Sequence, residues 1–368
     1  MTKTRSILIL ANSLGGLFLF RREVIKAFID EGYSVTIAAP ARGDNKFTWF
    51  VENGCTILEI PVDRRGTNPL SDLILVRRYM KLMKSIKPMV VLTYTIKPNV
   101  YGGIAARLLH IPQLANITGL GDAVENPGLL QKFTIFLYRI GLKKAKKVFY
   151  QNPSIRDFCQ KHRIGKDGVL LPGSGVNLQW HTFQDYPPKD DKIKFNFIGR
   201  VMKDKGIEEF IAMTKAVTAK YPNTEFHIYG RCEERYEEQL KKWQDEGLVI
   251  WHGSVPDVRP YIKNSSCTIH PSYHEGMANV LLETCAAGRP VLASNISGCK
   301  EAIEDGVNGY VFNVKDTTDL IAKVEHFINL PYDKKVQMGK AAREKMEREF
   351  SRQIVLDLYL NAVKSVSK

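Results

Sequence analysis

Two carboxylates stand eight residues apart in HEGMANVLLE (274–283), Glu275 and Glu283, within a stretch that otherwise has the composition of a buried helix. Ionised carboxylates are seldom fully buried without a partner, so each needs a cation, an N–H or a ligand hydroxyl. Upstream, IGRVMKDKG (198–206) carries Gly199-Arg200 where a strand is expected to end and Lys205-Gly206 where a helix is expected to open. A cation at a strand's carboxyl end and another just before a helix can clamp a diphosphate; taken singly, they would equally be solvated surface. Gly15-Gly16 lies between the first strand and its helix, where backbone amides and the helix dipole favour phosphate or carboxylate. A tight turn that needs glycine explains that pair as well.

The stretch around Glu275 takes a definite form. HPSYHEG (270–276) follows the strand CTIHP, and MANVLLETCAAG (277–288) reads as a helix closed by Gly288 and Pro290. Glu275 then falls in the loop before the helix. The amides of Met277, Ala278, Asn279 and Val280, together with Gly276, form a helix start suited to a diphosphate. Glu283 lies about two turns further on, within reach of a hydroxyl-rich group such as a ribose, or else of an internal ion pair or cap.

Other chemistries lack their residues. The first loop is NSLGGL (12–17) rather than GxGxxG, GSGVNL (173–178) lacks the third glycine, and no GK[ST] loop occurs. A zinc protease motif at His274-Glu275 would need histidine at 278, which is Ala278, so neither a metal nor another cofactor is expected. The six cysteines are scattered, as in a reduced cytosolic protein. No run approaches the roughly 20 apolar residues of a membrane span, and Ile7 to Ala11 is too short for a secretory leader and reads as a strand.

These residues need a scaffold. Apolar runs at 6–11, 33–39, 55–60, 89–94, 112–116 and 146–151 alternate with helical patterns at 17–31, 44–53, 70–87, 98–109 and 128–144. The pattern restarts after QDYPPKDDK (184–192), with strands at 193–199, 225–230, 248–252, 267–271, 290–294 and 309–313. Such alternation implies right-handed crossovers and parallel sheets. The expected fold is α/β, two doubly wound Rossmann-like domains (1–180 and 181–350) facing a cleft. A C-terminal helix (351–368) is expected to cross back to the first domain. The charge is one-sided: residues 1–180 hold 26 Lys+Arg against 12 Asp+Glu, an excess of 14, while residues 181–368 hold 27 of each. A basic first domain seeks an anionic partner.

The set Gly15-Gly16, Arg200, Lys205, Glu275 and Glu283 with seven residues between them, and SGCKEAIEDGVNGYVF (297–312) resembles family 4 of the retaining, GT-B-fold glycosyltransferases from about residue 5 to 365. The resemblance implies that Arg200 and Lys205 hold the donor diphosphate, that Glu275 contacts the transferred sugar, and that Glu283 holds the ribose; Glu301 is a further candidate. TYTIKPNVYGGIAARLLHIPQLANITGLG (93–121) is similar to bacterial enzymes that lengthen undecaprenyl-diphosphate-linked saccharides for O-antigen, capsule or protein glycans, including α-1,3-N-acetylgalactosaminyltransferases. On that likeness Lys97, Thr118, Gly119 and Gly121 face the acceptor. The chain has no histidine at this loop, which leaves the role given to one in some relatives unassigned.

The expected activity is retaining transfer of a hexose or N-acetylhexosamine from a UDP-sugar to a lipid-diphosphate-linked saccharide, with UDP favoured by the resemblance. Residues 129–149 combine Phe133, Phe136, Leu137 and Ile140 with Lys132, Arg139, Lys143, Lys144, Lys146 and Lys147. That combination suits an anionic inner-membrane surface at about 1 kcal/mol per basic side chain, hence a cytoplasmic, peripheral location; an ordinary helix with a solvated lysine edge would look much the same. LVRRYMKLMKSIK (75–87) is also basic and amphipathic. Two rival readings are a GT-B epimerase acting on soluble UDP-sugar, and a nucleic-acid-binding protein suggested by the pI of about 9.4, for which no reading motif is present.

Overall fold

The computed structural model describes residues 5–40, 46–62, 69–120, 128–189, 192–233 and 236–366. The chain divides into two compact units, one of Met1–Ser174 with Gln353–Lys368, the other of Gly175–Arg352.

The first unit is built on a seven-stranded sheet in the order β3-β2-β1-β4-β5-β6-β7. Its strands are β1 (Ser6–Leu10), β2 (Ser34–Ala39), β3 (Thr56–Glu59), β4 (Val90–Tyr94), β5 (Gln113–Ile117), β6 (Lys147–Tyr150) and β7 (Gly168–Leu170), all paired in parallel. Continuous apolar runs such as SILIL suit strands covered by helices on both faces. One layer is the Leu14–Asp30 helix with the C-terminal helix Arg352–Val366, whose Val355, Tyr359 and Val363 join the core of β1 and β4. The other layer places Pro69–Ile86, the Pro98–Leu108 segment and Leu129–Gly141 side by side. Within it the expected helix at 98–109 opens as a π-turn, Pro98–Gly102. A Cβ on Gly103 would lie 2.3 Å from the Gly141 carbonyl, and one on Gly141 2.5 Å from the Val100 Cα. Glycine at both positions lets the two backbones touch.

The second unit has a six-stranded parallel sheet in the order β10-β9-β8-β11-β12-β13. Its strands are β8 (Ile193–Ile198), β9 (Thr224–Tyr229), β10 (Ile250–Trp251), β11 (Cys267–His270), β12 (Val291–Ser294) and β13 (Gly309–Phe312). One layer packs around Phe195, Phe210, Phe226 and Phe327, the other around Leu281, Leu282, Cys285 and Met346. Arg289 is wholly buried, and its two terminal guanidinium nitrogens donate to the carbonyls of Gln184, Asp185 and Lys263 at 2.7–2.9 Å, while its Nε finds no hydrogen-bond partner among the described residues. It thereby ties the segment leading into β8 to the end of the Asn279–Ala286 helix.

In both sheets the strand order reverses beside the first strand, between β1 and β4 and between β8 and β11. Ligands of open α/β sheets bind beyond the strands' carboxyl ends at such switch points. No described helix is long and apolar enough to cross a membrane.

Candidate active site

At the second switch point, β8 runs out through Gly199 and Arg200, and Gly199 donates to the Tyr229 carbonyl at 2.9 Å. A short turn, Lys203–Lys205, then leads into the Ile207–Lys220 helix through Gly206. Gly206 has φ of +71°, and a Cβ there would lie 2.1 Å from the Pro271 carbonyl, so only glycine fits. That approach brings Lys205 against the loop leaving β11. The Tyr273 amide donates to the Asp204 carbonyl at 2.9 Å and locks the two loops together.

Three side chains converge there. Lys205 Nζ donates to Glu275 Oε1 at 2.5 Å, and His270 Nε2 lies 2.8 Å from the same oxygen. His270 is 5% exposed, and the Lys205 and Glu275 side chains are both mostly covered. Burial alone would raise the Glu275 carboxyl; His270 first, then Lys205, outweigh it and hold it at about 2. Glu275 is therefore an ionised carboxylate fixed by two donors. On its backbone side, a Cβ on Gly298 (φ +93°) would lie 2.6 Å from the Glu275 carbonyl. Glu301 accepts from Ser297 Oγ at 2.8 Å and from the Gly298 amide at 2.6 Å. Its role here is to fix the loop that backs Glu275.

The other expected residues are placed less uniformly. Arg200 pairs with Glu233 at 3.0 Å rather than with Glu275, and half of its side chain is exposed. The helix begins at Asn279, not 277, with Ala278 as an N-cap that supplies no side-chain cap. The Ala278 amide is spent on the Gly298 carbonyl at 2.8 Å, so of the expected cradle this donor is already used. Asn279 and Val280 open the first turn, after Gly276 and Met277. Glu275 lies four residues before the helix, so the eight-residue spacing to Glu283 is not a rotation around one helix.

Glu283 is partly buried on Asn279–Ala286, and no donor among the described residues hydrogen-bonds its carboxyl. Neither an internal ion pair nor a cap accounts for it. Burial raises it to about 7, opposed by the charge of Arg352 and helped by that of Asp257.

In the first unit, Gly15 and Gly16 begin the Leu14–Asp30 helix beyond β1, and the Gly16 amide already donates to the N-cap Ser13 Oγ at 3.2 Å. Beyond β4, Thr95 holds φ of +72°, a conformation that β-branched residues rarely adopt outside strained sites. Lys97 follows, donating to Asp72 Oδ1 at 2.8 Å, while Tyr101 donates to Asp72 Oδ2 at 2.6 Å. Thr118 and Gly119 follow β5 and are partly exposed; Gly121 lies outside the described residues.

His270 is the residue that sequence reasoning missed. Its signal was present: a polar residue closing the strand CTIHP at the sheet's carboxyl edge, five positions before Glu275.

Residues 179–345 match the family described as Glycosyl transferases group 1, and residues 6–152 match Glycosyl transferase 4-like. Together these matches span most of the chain. The chain belongs to this glycosyltransferase family, and its fold is GT-B. It is 24% identical to an N,N'-diacetylbacillosaminyl-diphospho-undecaprenol alpha-1,3-N-acetylgalactosaminyltransferase of Campylobacter jejuni, over 98% of both chains. It is 26% identical to the capsular polysaccharide biosynthesis glycosyltransferase CapM of Staphylococcus aureus, over 79% of this chain and 80% of that one. Among solved structures, a glycosyltransferase from Rickettsia africae aligns with a TM-score of 0.83 at 18% identity, over 100% of this chain and 99% of that one. Anabaena Alr3699/HepE in complex with UDP and glucose aligns at 0.78 and 16%, over 98% and 100%.

Proposed function

We propose that the chain is a retaining hexosyl- or N-acetylhexosaminyltransferase. It would move a sugar from UDP to a lipid-diphosphate-linked saccharide during assembly of a cell-surface glycan. The observation that carries this reading is the Lys205–Glu275–His270 cluster at the second sheet's switch point. It couples a fixed carboxylate to a cation beside a helix start. The names of two relatives support the substrate class, the Campylobacter one naming a diphospho-undecaprenol-linked sugar and the Staphylococcus one capsular polysaccharide biosynthesis, and the UDP complex of the Anabaena protein supports the nucleotide.

Retention requires the acceptor hydroxyl to approach on the face from which UDP departs. The main need is then to stabilise negative charge growing on the leaving diphosphate. Arg200, Lys205, the amides of Met277, Asn279 and Val280, and the dipole of the Asn279–Ala286 helix would supply this without a metal. As the diphosphate binds, Lys205 would turn toward it, leaving His270 to hold Glu275. Glu275 would orient the sugar hydroxyls and steady the oxocarbenium-like centre, and Glu283 would accept from the ribose. Gly15, Gly16, Lys97, Thr118, Gly119 and Gly121 are assigned to the end of the donor and to the acceptor. A peripheral contact of 129–149 with an anionic cytoplasmic leaflet would deliver the lipid-linked acceptor.

The test is a thermal-shift screen of UDP- and GDP-sugars, followed by incubation of the stabilising donor with lipid-linked saccharides in EDTA. The reading predicts one stabilising UDP-sugar and a lengthened lipid product of unchanged anomeric configuration. Conversion of the UDP-sugar without any acceptor would favour an epimerase instead.

A further inference from the structure

The first unit holds a second carboxylate fixed in the manner of Glu275. Asp72 lies in the first turn of the Pro69–Ile86 helix, and each of its oxygens takes a different donor. Lys97 Nζ donates to Oδ1 at 2.8 Å, and the Tyr101 hydroxyl donates to Oδ2 at 2.6 Å. In the second unit Glu275 is held by Lys205 and by the ring nitrogen of His270. Each carboxylate therefore pairs with one lysine and one aromatic side chain at the carboxyl edge of its own sheet. Their cover is alike as well: the side chains of Asp72 and Lys97 are each 14% exposed, those of Glu275 and Lys205 13% and 18%.

The loop that carries Lys97 is anchored on both sides by buried polar residues, Thr93, Asn99, Gln113 and Asn116. Thr93 Oγ1 donates to Asn99 Oδ1 at 2.7 Å, and Gln113 Nε2 donates to Thr93 Oγ1 and to the Asn99 carbonyl, both at 3.0 Å. Asn99 Nδ2 donates in turn to the Asn116 carbonyl at 2.8 Å. Between these anchors Thr95 is held at φ of +72°, and its hydroxyl is buried with no hydrogen-bond partner among the described residues. Backbone strain and orphaned polar atoms persist where the surroundings over-determine them, and they gather at ligand sites. A simple brace between helix and loop needs neither. Nor does a lysine meant only for phosphate gain from a carboxylate that neutralises it. Asp72 is the one acidic residue between residues 64 and 121 of the sequence, so its place beside Lys97 is no by-product of a mixed surface.

We propose that Asp72 is a carbohydrate-binding carboxylate that accepts hydrogen bonds from hydroxyls of the saccharide receiving the transferred sugar, with Lys97 and Tyr101 as the groups that aim it. An ionised carboxylate has about four acceptor sites. The two fixed donors use one on each oxygen, and the remaining pair suits two neighbouring hydroxyls of a pyranose. Hydrogen bonds to a charged acceptor are the stronger kind, so the contact discriminates between sugars as well as holding one. Thr118 and Gly119 leave the adjacent strand, β5, at the same edge and are partly exposed there. This site rests on the proposed reaction for the saccharide's role as acceptor, and not for its binding.

The probes are methyl glycosides of hexoses and N-acetylhexosamines, offered to the full chain in excess UDP and read by saturation-transfer NMR. The parent should bind at least one of them. Asp72→Asn, which keeps the size of the side chain and removes its charge, should bind that glycoside about tenfold more weakly or worse. Tyr101→Phe, which leaves Lys97 as the one aiming group, should weaken it to a lesser degree. Deleting the recognised hydroxyl from the glycoside should cost the parent about tenfold and Asp72→Asn nothing further, a coupling that a brace would not produce. In transfer assays Asp72→Asn should raise KM for the lipid-linked acceptor about tenfold and leave KM for the UDP-sugar unchanged. A cooperative melt establishes the fold of each variant, and Tyr101→Phe with the deoxy glycoside reads the same coupling if Asp72→Asn does not fold. Glycoside binding that depends on Asp72 in a chain that transfers nothing would uphold this site and count against the proposed reaction alone. No glycoside bound by the parent, equal binding by folded Asp72→Asn, or a deoxy penalty as large in the variant as in the parent would overturn the proposal.

Discussion

At the scale of single residues, the site is a carboxylate whose charge state is set by its neighbours. Glu275 faces Lys205 from the turn after β8, His270 from β11, and Cys299 from the loop behind it. If Lys205 moves to the diphosphate, His270 still holds Glu275 Oε1. His270→Gln keeps an N–H near the position of Nε2 and should retain turnover within a few-fold. His270→Leu should lose 10- to 100-fold in kcat, the worth of about 1.4 to 2.7 kcal/mol, with UDP affinity unchanged. Steady-state kinetics on both variants check this, and equal losses would remove the hydrogen bond from the account. Glu283 works in the opposite sense. Its carboxyl is raised from 4.5 to about 7, so its ionisation opposes folding, and stability is lost as pH rises between those values. Glu283→Gln should match the parent near pH 4 and exceed it by up to about 3 kcal/mol near pH 8. Denaturant melts at the two pH values read this directly. UDP should bind the parent more tightly as pH rises through 7, and the variant without that trend. The sequence announced both glutamates through their rarity in an apolar stretch. It did not announce His270, because a histidine ending a buried strand is usually core until its neighbour across the loop is known. Nor could it show that the Ala278 amide is already spent, since that depends on Gly298, twenty residues away.

At the scale of elements, parallel strands were legible because buried strands of this kind read as continuous apolar runs. Boundaries at 6–10, 193–198 and 267–270 fall within a residue of expectation. Two elements escaped. The β7 strand is three residues with only its middle side chain partly covered, too short for any periodicity. The Pro153–Lys161 helix has its Asn152 cap and its Pro153 start, but only nine residues to carry a pattern. The C-terminal helix illustrates how an element far away in sequence completes a core. Tyr359 is fully buried, hydrogen-bonds the side chain of Asn116, and stacks on Phe149 at 4.5 Å. Asn116 Nδ2 in turn donates to the Thr93 carbonyl, joining β5 to β4 just below the first switch point. Ending the chain at Arg352 should therefore lower the melting temperature by well over 5 °C, because several buried apolar side chains are lost together. Differential scanning calorimetry would show this; an unchanged transition would mean that the helix is dispensable to the first unit.

At the scale of the whole molecule, two sheets of the same winding order carry different residues at equivalent places. The second presents a fixed carboxylate, a cation and a helix start. The first presents glycines, a strained Thr95, and a lysine held by Asp72. The excess of positive charge lies wholly in residues 1–180, which fits a donor side that binds its anion with few, well-placed groups and a first unit that meets a charged surface. The account stands or falls on whether Glu275 and Lys205 perform sugar transfer. Its most direct test is transfer from the stabilising UDP-sugar to the lipid-linked acceptor by Glu275→Ala and Lys205→Ala, each checked for a cooperative melt. The account predicts that both lose at least about 1000-fold in kcat/KM, with Lys205→Ala also losing about 1–3 kcal/mol of stability as Glu275 loses a donor. Near-normal transfer by either folded variant would contradict it.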